Sequence, residues 1–433
     1  MAIETATGFL KGTQTAAQFG ILNNILKEYY LPGVRDLFNN KTPLLRYIRK
    51  SMEYMQGQYA VIPLNTGRNE GHGHVGEGGD LPDPGVQSYK RATYDLRYMY
   101  GRIKFSGPSQ DATSSKAGSY LEVMNSEVTG LARDMTRDLN RIAFGDGTGR
   151  LARVSATVTA STSVPLDRPG GFANLGPGTK FMRQGMRVMF VRNTGLGSVI
   201  AVRTLSSVNY ETNVVTVDSA VTLAADDYLV RCSSPTTTAL NSSSWFLEPN
   251  GLAGIISDQN PFDSATPHFN YIGQIDRTTT PLWQSTVIDH NGTPTEFYVD
   301  VLNQLQDVMD ISGDGVIQLY MTTHGIRRAH LNLMLANKTF PNIMELDGGY
   351  KTLEHNGIPL VPDRDCTNGR IYGLDFRVLH MFLGEDFNFI DQDGSVLARM
   401  QNQDAYQCTL KRYHQFGTDA ANRLGVVLDI KDE

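Results

Sequence analysis

The sequence predicts an α+β chain built from several parts rather than one compact core, and three observations carry that. The chain has 433 residues, more than a single core fills, so two or three domains are expected. A two-residue hydrophobic period in 59–105 gives way to a helical period in 119–144. From 150 to 240 the composition turns to Ser, Thr, Val and Gly and long helical patterns vanish. The expected parts are an extended two-stranded loop, a long helix, an inserted small β-barrel or sandwich, and an α/β domain.

Taken in order, 15–31 reads as a helix through Phe19, Leu22, Ile25, Leu26 and Tyr29, stopped by Pro32 and Gly33. Strands follow at 59–64 and 90–105. Between Gly67 and Gly85 lie seven glycines, two prolines and almost no large apolar residue. Such a loop buries too little apolar area to hold its own shape, so it needs a neighbouring molecule and points to assembly before catalysis. In the second strand Tyr94, Leu96, Tyr98 and Tyr100 alternate with polar positions, which predicts one aromatic face, and Gly101 breaks the phase as a bulge would.

Ser119-Tyr-Leu-Glu122 reads as a capping box that opens a helix of about 25 residues, roughly 37 Å. Its apolar stripe runs Leu121, Met124, Val128, Leu131, Met135, Leu139 and Ile142, and Gly145 caps it. Glu122, Asn125, Arg133, Arg137 and Arg141 form the opposite face, expected to be solvated or subunit-facing. In the Ser/Thr-rich region short strands are expected at Val154–Val158, Arg187–Arg192, Val199–Leu205, Val214–Val217 and Tyr228–Arg231. Thr293-Pro-Thr-Glu296 predicts a second capped helix carrying Phe297, Val301, Leu305, Val308 and Met309, ended by Gly313-Asp-Gly. A strand from Val316 precedes a helix capped by Thr323, and further strands are expected at Ile358–Val361, Arg370–Met381 and Phe387–Ile390. The tail from Cys408 to Ile430 reads as two strands around Phe416-Gly-Thr-Asp.

Composition narrows the function classes. Net charge is −6, so no global basic field would clamp nucleic acid. The three cysteines, 232, 366 and 408, form no CxxC pair, and their odd number favours buried thiols in a reducing compartment over a disulfide framework. No signal peptide is expected, since the first residues lack a basic region and an apolar stretch. No apolar run approaches the roughly 18 residues of a membrane span. The Asn241, Asn291 and Asn337 sequons therefore carry little weight.

The chemical motifs fail one by one. Gly71-His-Gly73-His-Val-Gly76 matches a dinucleotide string, but Pro82 and Pro84 exclude the helix that should follow it. His72 and His74 have no nearby cysteine, and a polar loop explains them better than a metal site. His324 and His330 are six apart and share no helical face as ligands would. Asp391-Gln-Asp-Gly-Ser lacks the later residues of a calcium loop and reads as a turn. Gly176-Pro-Gly-Thr-Lys180 lacks the core of a phosphate loop. Asp363 with Asp365, and Glu385 with Asp386, are carboxylates that sequence alone cannot pair. No catalytic, cofactor-binding or metal residue is assigned, and no enzyme activity is expected.

The order of the segments carries a resemblance. An arm, an extended loop, a long helix ending in Phe144-Gly-Asp-Gly-Thr-Gly149, an α/β domain and a final Asn422-Arg-Leu-Gly-Val-Val-Leu-Asp-Ile430 together resemble a tailed-bacteriophage major capsid protein over nearly the whole chain. The passage from Ile103-Lys-Phe-Ser into the helix and on to Phe-Gly-Asp-Gly is the most characteristic part. The resemblance implies an N-terminal arm (1–50), an extended β-loop (51–106), a spine helix of a peripheral domain (107–150), an inserted β-rich domain (151–240), an axial α/β domain (mainly 250–385) and C-terminal strands returning to the peripheral domain (386–433). It implies self-assembly through hexamers and pentamers into an icosahedral shell enclosing phage dsDNA, in a virion assembled in the host cytoplasm. Expected partners are a separate scaffolding protein, a portal, a cementing protein and DNA held by weak non-specific contact, with no membrane. An encapsulin-like compartment shell or another phage structural component is the alternative. Some members cross-link lysine to asparagine between subunits; Lys90, the sole lysine between Ser51 and Arg102, does not match that motif, and no cross-linking residue is assigned.

Overall fold

The computed structural model describes residues 42–106, 117–172, 176–193, 197–233, 239–258, 272–336, 343–346, 350–390, 398–400 and 403–432. The predicted helix at 15–31 and the turn at Asp391 lie outside them. By their contacts the described residues form two compact units. One lies within Tyr98–Asp138 and Glu385–Tyr413. The other lies within Thr42–Arg97, Leu139–Gly384 and His414–Glu433.

A short helix α1 (Pro43–Tyr47) leads into β1 (Arg49–Ser51), β2 (Met55–Gln56) and β3 (Tyr59–Gly67). The last of these pairs antiparallel with β4 (Ser88–Asp95), from Tyr59↔Asp95 out to Gly67↔Ser88. The predicted second strand is thus two, because Leu96 interrupts it before β5 (Arg97–Ser106). The interruption also shifts the phase. Tyr94 and Leu96 are buried, whereas Tyr98 and Tyr100 are exposed and Gly101 and Ile103 turn inward. The predicted single aromatic face is therefore wrong, and Gly101 packs inward. A Cβ there would lie 2.6 Å from Met135 Sδ and 3.0 Å from a Leu131 methyl, so glycine serves the close approach of a helix.

That helix, α2 (Ala117–Phe144), spans 28 residues, about 42 Å at 1.5 Å per residue. It begins before Ser119, so the predicted cap serine is inside it; the side chains of 117–126 are outside the description. Val128, Ala132, Met135, Leu139 and Ile142 are buried at three- and four-residue steps. Arg141 departs from expectation: it is buried, forking onto both carboxylate oxygens of Glu248 (3.0 and 2.5 Å). A full turn of the helix end is enclosed, so its polar face has to be paired rather than solvated.

The Ser/Thr-rich region folds as a closed barrel of β6 (Arg150–Val154), β7 (Val158–Asp167), β8 (Arg187–Val191), β9 (Val199–Asn209), β10 (Val214–Leu223) and β11 (Tyr228–Arg231), in the order β10-β7-β6-β11-β8-β9. Closure removes free strand edges. The predicted strand at Val154–Val158 is instead the junction of β6 and β7. Val188, Phe190, Leu205, Val215 and Leu229 fill the barrel. Met189, Val191, Tyr228 and Val230 face out and are covered by Trp245, so β8 and β11 are apolar on both faces, as strands buried on both sides must be.

After a single-turn helix α3 (Leu252–Ile255) and β12 (Thr286–Ile288) come α4 (Asp300–Gly313), β13 (Leu319–Thr322), α5 (His324–Ala336), β14 (Ile343–Leu346), β15 (Tyr350–His355), β16 (Ile358–Pro362) and β17 (Ile371–Leu374). The Thr293 capping box does not form. Thr295 N donates to Asp429 O (2.7 Å) and its carbonyl accepts from Lys431 N (2.9 Å), so backbone pairing with the tail holds this segment extended and α4 starts at Asp300. The helix ends as predicted, with Asp314 rather than a glycine taking the left-handed conformation (φ 55°). Thr323 caps α5, its Oγ1 accepting from Ile326 N.

The predicted strand 370–381 is broken at Asp375, whose carboxylate accepts from Arg377 N (2.9 Å), a local turn bond that competes with the ladder. The chain resumes as β18 (Leu379–Phe389), then β19 (Ala398–Arg399), β20 (Ala405–Thr418) and β21 (Gly425–Val427). Seven strands form one sheet in the order β12-β21-β17-β13-β16-β15-β14. Val301, Leu302, Leu305 and Met309 of α4 pack on its Tyr320, Leu360, Ile371 and Val427.

One histidine makes this core acid-sensitive. His330 is 1% exposed, set edge-on to Phe297 and 6.3 Å from His355. Burial, with His355 beside it, pushes its pKa down from 6.5 to about 4. The unfolded chain therefore binds a proton that the folded chain refuses, so stability is full above pH 6.5 and is lost as pH falls towards 4. The loss is about 3 kcal/mol at most. Denaturant unfolding of wild type and His330→Phe at pH 7 and pH 4.5 should show a steeper fall for wild type; parallel behaviour would refute the assignment.

Candidate assembly surface

The extended arm is anchored at one end and bare at the other. At its base Ala60, Ile62, Ala92 and Tyr94 are buried. Tyr94 is locked by its hydroxyl, which donates to Thr418 O (2.7 Å) and accepts from Thr418 N (3.1 Å). From Pro63 to Arg91 no residue is buried. Leu81 is 83% exposed and Val86 85%, with Val75 and Tyr89 also in solvent.

Short-range hydrogen bonds, mostly from side chains, shape the tip. Asn69 Oδ1 accepts from Gly71 N (2.7 Å), and Arg68 donates to His72 Nε2 (2.7 Å) while His72 Nδ1 reaches Asn69 O (3.1 Å). An arginine donor on Nε2 makes His72 an acceptor there, with its Nδ1 proton directed to Asn69 O. The two sides of the loop touch through glycines: a Cβ on Gly71 would lie 2.4 Å from Gly85 N. The first glycine of the GxGxxG string, Gly71, thus permits a close backbone crossing. His74 is exposed.

In the other unit, β5 and β20 pair and carry a polar, aromatic outer face. Tyr98 packs edge-on to Tyr413 at 4.9 Å, Tyr100 packs edge-on to it at 6.1 Å, and Lys411 sits over the Tyr413 ring. Arg102 reaches Gln407 and Lys104 reaches Gln403. Tyrosines half in water suit a contact that is wet on one side. A third exposed apolar strip comprises Val308 and Ile311 (84% exposed) on α4 and Val316 just beyond its C-terminal end.

The candidate reactive groups are dispersed. Among the described residues no cluster of His, Cys, Asp and Glu could hold a metal ion. Asp363 and Asp365 do converge, both accepting from Asn140 Nδ2 (3.0 and 2.8 Å), and burial raises the Asp363 pKa; they fix the end of α2 to the turn after β16. Glu385 pairs with Lys411 and Asp386 approaches Arg412. Burial raises the Cys366 thiol pKa and lifts that of Cys408 to about 12, so neither is a thiolate at neutral pH. His324 and His330 remain apart in role, one at the start of α5 and one in the core. Lys90 hydrogen-bonds Thr280. Arg141 with Glu248 and the half-buried Lys180 escaped the sequence reading, and no local pattern marks them.

Neither a family model nor a curated protein matches the sequence. Solved structures do. The cyanophage A-1(L) capsid asymmetric unit aligns with a TM-score of 0.51 at 10% identity, over 90% of this chain and 93% of that one. This chain has the tailed-phage capsid fold. The holo encapsulin complex of Synechococcus elongatus (TM-score 0.43, 10% identity, 90% and 88% covered) and a Gordonia phage Cozz structure (0.43, 10%, 91% and 88%) are also similar. At such identity the likeness is one of fold. Within the capsid fold, the arm, α2 and the barrel are recognisable as an extended loop, a spine helix and an insertion.

Proposed function

We propose that this chain is the major capsid protein of a tailed phage, assembling through hexamers and pentamers into an icosahedral shell around packaged dsDNA, in a virion built in the host cytoplasm. The observation that carries the reading is a capsid fold whose extended arm, from Pro63 to Arg91, has no buried residue of its own. In that role the arm lies across a neighbouring subunit, and the Ile311 strip of α4 faces a copy around the ring axis. Cyclic rings need two different patches to meet, and the chain offers them on different elements. Scaffolding, portal and cementing proteins are the proposed partners. A net charge of −6 suits a wall that DNA passes without sticking. The division proposed is peripheral for α2, the arm and the final strands, and axial for 250–385.

The test is negative-stain microscopy of the purified protein with and without a co-expressed scaffold. Icosahedral shells or hexamer rings are expected. Persistent monomers in both conditions would sink the proposal. Shells that co-purify with a cargo enzyme and accept no portal would instead place the chain with encapsulin-like compartments.

A further inference from the structure

The root of the arm holds a pocket whose side-chain donors are all engaged. A cavity of about 140 Å³ lies between Leu64, Asn65 and Thr66 of β3, the 3₁₀ turn Pro281–Trp283 and the chain between β20 and β21. One ordered water needs only about 10–15 Å³ by the same measure, so several heavy atoms fit. Trp283 Nε1 donates to Ile272 O (2.8 Å), Asn422 Nδ2 to Ser312 O (3.3 Å), Thr66 Oγ1 to Ser88 O (3.5 Å) and Asn65 Nδ2 to Gln87 Oε1. Among the described residues no lysine, arginine or histidine lines the cavity, whereas Asp419 does. Asp419 Oδ2 pairs with Nε2 of the buried His380 (3.2 Å), which fixes the carboxylate. Its Oδ1 is buried and, among the described residues, accepts no hydrogen bond. A carboxylate oxygen in that position carries a desolvation cost that a donor would offset. The rest of the wall is Leu64, Leu282 and the Trp283 indole, which suits methylenes better than a hydrated ion.

We propose that this pocket binds a primary alkylammonium group, with its nitrogen on the Asp419 carboxylate and its methylenes along Leu64, Leu282 and Trp283. An ammonium has donors and no acceptor, which is the complement of a site with a free acceptor and no free side-chain donor. Its charge makes the hydrogen bond to a carboxylate a strong one. The group belongs either to a free diamine or polyamine or to a lysine side chain of a second copy of this chain. The chain's own Lys90 stands opposite Leu64 in the β3–β4 ladder, but its ammonium is engaged by Thr280 Oγ1. The pocket joins β3 to the stretch Asp419–Asn422, so an occupant ties the root of the arm to the body of its own subunit. The site stands on its own chemistry and does not depend on the shell reading.

Calorimetric titration of the full chain with n-butylammonium chloride, at constant ionic strength, tests the pocket. Saturable binding is expected. Tetramethylammonium has the charge but no N–H, and should bind about tenfold more weakly or worse. Asp419→Asn should weaken butylammonium binding by about tenfold or more. Leu282→Lys changes a side chain that is 54% exposed, so the fold tolerates it, and its tethered ammonium at the rim should also block uptake. Absence of saturable binding, equal binding of tetramethylammonium, or undiminished binding in either folded variant overturns the proposal. Amine released from the denatured wild-type chain, derivatised and quantified, separates the sources. Stoichiometric amine identifies a free polyamine. An amine-free chain in which carbodiimide joins Asp419 to a lysine of a second copy identifies the subunit contact. An amine-free chain without that cross-link overturns the assignment of a natural occupant, even where butylammonium binds.

Discussion

Replacing residues 68–87 with a two-residue Asn-Gly turn should leave a folded subunit that forms no shells. The replacement is geometrically mild. Gly67 and Ser88 already face each other across the β3–β4 ladder, and a two-residue turn of this kind closes such a hairpin with matching twist. The subunit loses no buried side chain, since nothing from Pro63 to Arg91 is buried. Its unfolding free energy should therefore change by less than about 1 kcal/mol. Assembly is another matter. Val75, Leu81 and Val86 are the exposed apolar side chains that the replacement removes. Burying a large apolar side chain contributes about 1.5–3 kcal/mol, so three give roughly 4.5 kcal/mol or more per subunit before ordering costs. Removing that from every contact in a closed shell should abolish particles altogether. Circular dichroism and thermal unfolding check the fold; gradient sedimentation and negative stain check assembly. Shells at normal yield would end the view of the loop as an assembly arm.

Much of this architecture was legible in residue order, and the failures have identifiable causes. The helix α2 was readable because an apolar stripe of seven positions at three- and four-residue steps is hard to produce otherwise. Strand Tyr228–Arg231 was placed correctly because both its faces are apolar and turns bound it. Periodicity failed where one residue changes the register: Leu96 turned Tyr98 and Tyr100 outward, and Asp375 cut a strand in two. The Thr293 box failed because its competitor lay 136 residues away, in the backbone of Asp429 and Lys431. A tertiary pairing of that kind has no local trace. The Asn356-Gly357 dipeptide was a hairpin signal left unread; both residues take positive φ between β15 and β16. The buried pair Arg141–Glu248 and the half-buried pair Lys180–Asn368 join segments more than 100 residues apart, and only the fold brings them together.

The turn that ends α2 depends on one bare position, and Gly251→Ala should collapse it. A helix leaves its last carbonyls without amide partners, so something must be able to approach them closely. Here the 251 backbone does so. A Cβ on Gly251 would lie 2.3 Å from Ile142 O, 2.6 Å from Gly145 O and 2.7 Å from Ala143 O. All three neighbours are backbone, so no rotamer change relieves the clash. The surroundings cannot yield cheaply: Ala143, Phe144, Leu252 and Ile255 are all buried, and Arg141, the residue before Ile142, is clamped by Glu248. Overpacking a close-packed site typically costs 1–3 kcal/mol, and three rigid carbonyls place this site at about 3 kcal/mol or beyond. The expected result is loss of most soluble protein, or a melting temperature lowered by roughly 5 °C or more for a domain of this size. Gly57→Ala is the control: it has a positive φ but nothing within 4 Å of a Cβ, so its cost is backbone strain of about 1 kcal/mol. Equal behaviour of the two variants would show that the carbonyl contacts at Gly251 are not what holds the end of α2, since Gly251 itself has an ordinary extended backbone (φ −96°).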